Sequence, residues 1–138
     1  MTIQVVQNGE LVALNLLVNN GENAEDLVLR LYQNSHVPVD DDTLAAYTEA
    51  DFPGYAAVTL TGNLWTAQAG NPSSVAYEAV QFVCSADTAL QTIYGYYLTR
   101  FVTGDLILAE EFAAPIPIQS VGNRVIIAPR IEASDTTD

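Results

Sequence analysis

Leu27-Val-Leu-Arg-Leu-Tyr-Gln33 is the most regular stretch of the chain. In an extended backbone successive side chains point to opposite faces, so Leu27, Leu29 and Leu31 share one face and Arg30 and Tyr32 the other. A helix would put Leu29 on the side opposite Leu27 and Leu31. The run therefore reads as a strand with one strongly apolar side. Upstream, Asn19-Asn20-Gly21 separates it from Leu11 to Val18, and Asn8-Gly9 separates that run from Thr2 to Val6. Asn and Gly tolerate positive φ, so these are turn signals, and Leu11 to Gln33 reads as a hairpin. Downstream, β-prone runs recur at Tyr55 to Leu60, Leu64 to Ala67, Val75 to Val83, Thr92 to Thr99, Leu106 to Glu110 and Arg124 to Ile131. Pro53-Gly54, Thr61-Gly62-Asn63, Gly70-Asn71-Pro72, Thr103-Gly104-Asp105 and Gly122-Asn123 punctuate them. Pro115 and Pro117 bracket Ile116, which marks a strand edge or an extended connection. Within Arg124 to Ile131, Val125, Ile127 and Ile131 face one way.

Such spacing describes an all-β chain: a jelly-roll or β-sandwich of about eight to ten short antiparallel strands. The exception is Asn34 to Pro53, where Asp42 is placed to cap a short helical segment near residues 43–49. Residues 1–20 read as an N-terminal arm or as the first strands. Residues 21–132 read as a single β-sandwich domain with no linker, and 133–138 as a flexible acidic tail. Ile93-Tyr-Gly-Tyr-Tyr-Leu98 is apolar on both faces and suits a central strand. A glycine there is unfavourable unless a bulge or a close neighbour requires it, which makes Gly95 a marked position.

Composition narrows the function. The 138 residues carry 17 acidic and 4 basic side chains, a net charge of −13, with no lysine at all. Sequence-tolerant nucleic-acid binding runs on clustered Lys and Arg, and anionic membranes attract the same groups; neither partner is expected. One cysteine excludes an internal disulfide framework, and one His with one Cys is too few for zinc. No targeting segment or apolar span is legible, so a soluble chain is expected.

Candidate chemistry is thin. Cys84 and His36 form a pair only on paper; Cys84 reads better as a small buried hydrophobe and His36 as a loop residue. Asp40-Asp41-Asp42 lacks the alternating ligand spacing and the glycine of a calcium loop, so a solvated loop is the better reading. Glu110 and Glu111 are neighbours on a strand and point to opposite faces, so they cannot work as a carboxylate pair. No Gly-rich phosphate loop occurs. No enzyme activity and no cofactor are expected. The aromatics Trp65, Tyr77, Tyr94, Tyr96 and Tyr97 admit two readings, core packing and intersubunit or sugar-stacking contact.

A further pattern runs through Tyr47-Thr-Glu-Ala-Asp-Phe-Pro-Gly-Tyr-Ala-Ala-Val-Thr-Leu-Thr-Gly62, Trp65, Ile93-Tyr-Gly-Tyr-Tyr-Leu-Thr99, Leu108-Ala-Glu-Glu-Phe-Ala113 and Val125-Ile-Ile-Ala-Pro129. Over residues 27–132 it resembles small virion proteins of tailed bacteriophages. The resemblance implies a structural protein of jelly-roll type: a head-decoration, or cement, protein that binds the outer surface of the head and stabilises contacts between major capsid proteins. It implies the major capsid protein as partner, a homotrimer, synthesis in the host cytoplasm and a place on the virion. A tail or fibre component whose β-sandwich binds a host-surface glycan is the alternative. The candidate interface comprises Ile3, Val5, Leu11, Leu14 and Leu16 in the N-terminal run, with Trp65, Tyr94, Tyr96 and Tyr97. That N-terminal run could add a strand to a neighbour's sheet edge or form the domain's own first hairpin.

Overall fold

β1, Leu27–Tyr32, is paired antiparallel along its whole length with β6, Gln91–Arg100, from Leu27 opposite Arg100 to Tyr32 opposite Gly95. The computed structural model describes residues 26–39, 41–61, 64–69 and 73–133. Among them are seven further strands: β2 Val58–Leu60, β3 Thr66–Gln68, β4 Ser73–Ala76, β5 Val80–Val83, β7 Leu106–Ile118, β8 Arg124–Ile127 and β9 Arg130–Ala133. The pairings β1–β6, β6–β7, β3–β4, β4–β9 and β5–β8 are antiparallel, and helical structure among the described residues is confined to a 3-10 turn at Leu44–Ala46 and to Leu64. The chain is therefore all-β, as its turn spacing requires. No described helix is long and apolar enough to cross a membrane.

The strands fall into two compact units. The larger comprises 27–59 and 80–127; the described residues of the other lie at 26, 60–79 and 128–133. The larger carries a four-stranded sheet, β2-β1-β6-β7, and a two-stranded ribbon, β5-β8. The smaller carries a three-stranded sheet, β3-β4-β9. No linker marks this division, because the chain changes unit between short strands. Val75 to Val83, one strand by its composition, is split into β4 and β5: β4 pairs with β3 and β9, and β5 with β8. Arg124 to Ile131 is likewise two strands. Ala128-Pro129 interrupts it, since proline brings no N–H to a ladder, and Ile131 joins a different sheet from Val125 and Ile127.

In the larger unit the leucine face of β1 is buried as its alternation demands, with Leu27, Leu29 and Leu31 joined by Leu98 and Tyr96. Phe52, Tyr55 and Phe82 continue this core toward the ribbon: Phe52 meets Tyr55 edge-on at 5.5 Å, and Tyr55 stacks on Phe82 at 5.6 Å. Phe82, Val125 and Ile127 form the buried side of the ribbon, and Gln81, Val83 and Ile126 its exposed side. The expected strand Leu106 to Glu110 and the segment Pro115 to Pro117, read as a strand edge or an extended connection, merge into one strand, β7. Its prolines are tolerated because, among the described residues, β7 pairs with β6 alone and can turn a missing N–H outward.

Candidate functional site

The second face of β1 is also covered, which the alternation of residues 27–33 does not foretell. Segment 33–50 folds back over it. The Gln33 N–H donates to the Thr48 carbonyl at 2.8 Å, the Ala50 N–H donates to the Leu31 carbonyl at 2.9 Å, and Tyr32 bridges Glu49. This return seats Tyr47 on the sheet. Tyr47 packs edge-on against Tyr32 at 5.0 Å and stacks on Tyr97 at 5.2 Å. Ala46, Tyr94, Leu106 and Ala109 close around the three rings. Aromatic pairs in these offset and edge-on geometries add attraction beyond their buried area.

Asp42 anchors the return. Its Oδ2 accepts from the Tyr47 hydroxyl at 2.7 Å and from the Val39 N–H at 3.0 Å, and lies 2.8 Å from His36 Nε2. The His36 ring stands edge-on to Tyr47 at 5.1 Å. Hydrogen bonds to the ionised form favour it; that from Tyr47, ahead of those from Val39 and His36, lowers the Asp42 carboxyl to about 2. The same site makes the tyrosines hard to ionise. Desolvation by burial, with the charges of Glu111 and Asp42 behind it, pushes Tyr32 up to about 12. Burial and Glu49 do the same to Tyr97, again to about 12. Tyr47 is raised as well, by burial first and by the Asp42 carboxylate second.

Asp42 is therefore not the helix cap expected of it. Thr43 occupies the N-cap position without a side-chain bond, and the helical segment shrinks to a single turn. The carboxylate instead closes the turn behind it, where the Asp42 N–H also donates to the Val39 carbonyl at 3.1 Å.

A second polar group lies on the same face. Arg30 Nη1 donates to both oxygens of Glu49, at 3.2 and 3.0 Å, and its Nε donates to Thr99 Oγ1 at 3.1 Å. The Tyr55 hydroxyl donates to Glu49 at 2.7 Å and accepts from the Leu31 N–H at 3.1 Å. Tyr47 separates two clefts. One, of about 410 Å³, has Pro38, Val39 and Asp42 on one side and Leu106 to Ala109 on the other. The second, of about 350 Å³, is lined by Arg30, Leu44, Glu49, Tyr97, Thr99 and Gly104.

Most residues singled out from the sequence serve packing. Tyr96 and Tyr97 are buried in the sheet, and the Tyr96 hydroxyl donates to Glu110 at 2.6 Å. Tyr94 is half-buried against the tyrosine cluster. In the smaller unit Trp65 is buried edge-on to Tyr77 at 5.4 Å. Trp65, Tyr96 and Tyr97 are thus part of the packed interior. Ile3, Val5, Leu11, Leu14 and Leu16 lie outside the described residues, as does Asp40. Cys84 is fully buried, with its Sγ 3.0 Å from the Ala86 carbonyl. Glu110 and Glu111 sit opposite Tyr96 and Gly95 respectively, on opposite faces of β7. Among the described residues no cluster of His, Cys, Asp and Glu could hold a metal.

Sequence reasoning missed the exposed apolar groups. Phe101 and Val102, in the turn joining β6 to β7, are 61% and 76% exposed. Val37, Val39 and Leu44 are exposed along the covering segment. The signal was present: two large apolar residues stand directly before the turn residues Thr103-Gly104, where polar ones are usual. A scan against protein-family models, a search of curated proteins and a search of solved structures each return no match.

Proposed function

We propose that the protein is a structural virion protein of a tailed bacteriophage, a homotrimeric decoration protein that binds the outside of the head and stabilises contacts between major capsid proteins. The observation that carries this reading is the exposed apolar turn of Phe101 and Val102 at the end of the β6–β7 hairpin. Large apolar side chains grouped at one end of a sheet are a contact surface waiting to be desolvated. The ionisable groups of the covered face, by contrast, are engaged with one another: Asp42 with Tyr47 and His36, and Glu49 with Arg30 and Tyr55. They brace the fold. The segments Ile93 to Thr99 and Leu108 to Ala113, which resemble phage virion proteins, supply most of β6 and part of β7, the two strands that this turn joins. A net charge of −13 is repelled by packaged DNA and suits the outer surface.

The test is a count. Quantitative mass spectrometry of purified particles whose genome encodes this chain should find hundreds of copies. A handful of copies would favour a tail or fibre part, and absence from the particle would overturn the reading. Light scattering at micromolar concentration should give three times the 14.9 kDa chain mass; a monomer would remove the trimer from the proposal.

A further inference from the structure

The 410 Å³ cleft differs from its neighbour in one respect: its far wall is the edge of a sheet. β7 hydrogen-bonds to β6 on one side, and among the described residues no strand pairs with the other. An edge strand presents alternate backbone N–H and C=O groups to whatever lies beside it, and proteins guard such edges with charge and proline. β7 is guarded over most of its length by Glu110, Glu111, Pro115 and Pro117. Its unguarded stretch, Leu106 to Ala109, is uncharged, half-buried and the part that lines the cleft. Across from it stand Pro38 and Val39, the latter 56% exposed.

Asp42 completes the cleft. Its side chain is only 9% exposed, and all three of its hydrogen bonds fall on Oδ2. Among the described residues Oδ1 takes none, although a carboxylate can accept at both oxygens. We propose that this cleft binds an extended peptide segment of another protein, which adds as a strand to β7 at Leu106 to Ala109 and sets a Lys or Arg side chain on Asp42 Oδ1. Strand addition of this kind takes affinity from main-chain hydrogen bonds and specificity from alternate side chains.

Charge identifies the occupant. The carboxylate of Asp42, the neighbouring Glu110 and Glu111 and a net charge of −13 all favour a cationic segment. This chain is a poor source of one: it has no lysine, and of its arginines Arg30 is paired with Glu49 and Arg130 with Glu132. A second copy pairing antiparallel through its own Leu106 to Ala109 would set Glu110 of each strand opposite Asp105 of the other, and like charges across a ladder are destabilising. The inference is independent of the virion assignment, since any protein with a basic extended segment satisfies it.

The experiment uses the full chain and a fluorescein-labelled synthetic heptapeptide, Thr-Val-Thr-Arg-Thr-Val-Thr, whose arginine and valines share one face when extended. Fluorescence anisotropy should show saturable binding, and amide chemical shifts should move at Leu106 to Ala109 and Val39. Replacing the peptide arginine by glutamate, or methylating the backbone nitrogens on one edge of the peptide, should each weaken binding by about ten-fold or more. Val39→Lys, at an exposed position, should narrow the gap between the arginine and glutamate peptides. Equal binding of the two peptides, shifts confined to other strands, or no binding at millimolar peptide would overturn the proposal. So would concentration-dependent shifts at Leu106 to Ala109 in the protein alone, which would give the edge to a second copy.

Discussion

Tyr32 lies directly over Gly95. The two are opposite one another at the end of the β1–β6 ladder, and a Cβ on residue 95 would stand 2.6 Å from both Cε1 and the hydroxyl oxygen of Tyr32 and would clash with the Glu110 carbonyl. The β6–β7 register shifts between Ile93 and Gly95, so a bulge and a close neighbour both fall where a glycine interrupts the strand. Aromatic cover of a strand glycine is a recurrent device for pinning register.

Gly95→Ala should lower stability by about 1–3 kcal/mol, and Gly95→Val by more, through overpacking. Tyr32→Ala in the same chain should not restore it, because the Glu110 carbonyl cannot move without parting β6 from β7. Urea denaturation measures all three; an unchanged midpoint for Gly95→Ala would remove the steric account.

Asp42 makes stability depend on pH at the acid end. Its carboxyl falls from 3.8 to about 2 on folding, so its contribution is complete above about pH 4 and is lost as pH falls toward 2. Asp42→Asn should flatten the stability profile across that window relative to the unmodified chain. Parallel slopes for the two proteins from pH 4 to 2 would show that the Tyr47, Val39 and His36 bonds do not stabilise the ionised form.

The tyrosines set the alkaline limit. Tyr32 and Tyr97 are raised from 10 to about 12, and Tyr47, Tyr55 and Tyr96 higher still, in each case mainly by burial. A raised phenol pKa means the folded state holds its proton longer, so stability should fall as pH rises from 10 through 12. Tyrosinate absorbance should show these five ionising together with the loss of structure. Smooth ionisation near pH 10 with the fold intact would contradict their burial.

Tyr55→Phe removes the acceptor of the Leu31 N–H and a donor to Glu49 at one stroke. Leaving a buried amide without its partner costs about 1–3 kcal/mol. Phe101→Ser with Val102→Ser should instead leave the melting temperature within a degree or two, because both side chains face solvent. On the decoration reading, that double variant should fail to co-sediment with particles while remaining folded.

Those elements whose information is local were legible in the chain alone. Alternation in Leu27 to Gln33 assigned the leucines to a buried face, turn residues at Thr103 to Asp105 and Gly122-Asn123 placed the reversals, and Gly95 announced a crowded strand. Pro129 was legible too, since a proline in a run argues for a break, and reading Arg124 to Ile131 as one strand overlooked it. The tertiary structure decided what lies on the other side of each strand. Nothing in the period of β1 says that Arg30 and Tyr32 will be covered, because the cover comes from Tyr47, Glu49 and Asp42, whose own segment has no periodicity to read. Nor does composition reveal that Val75 to Val83 feeds two different sheets. A strand's pleat encodes which side chains go together, whereas its partners are chosen by packing between residues far apart in the chain. The clefts beside Tyr47 exist only once those distant choices are made.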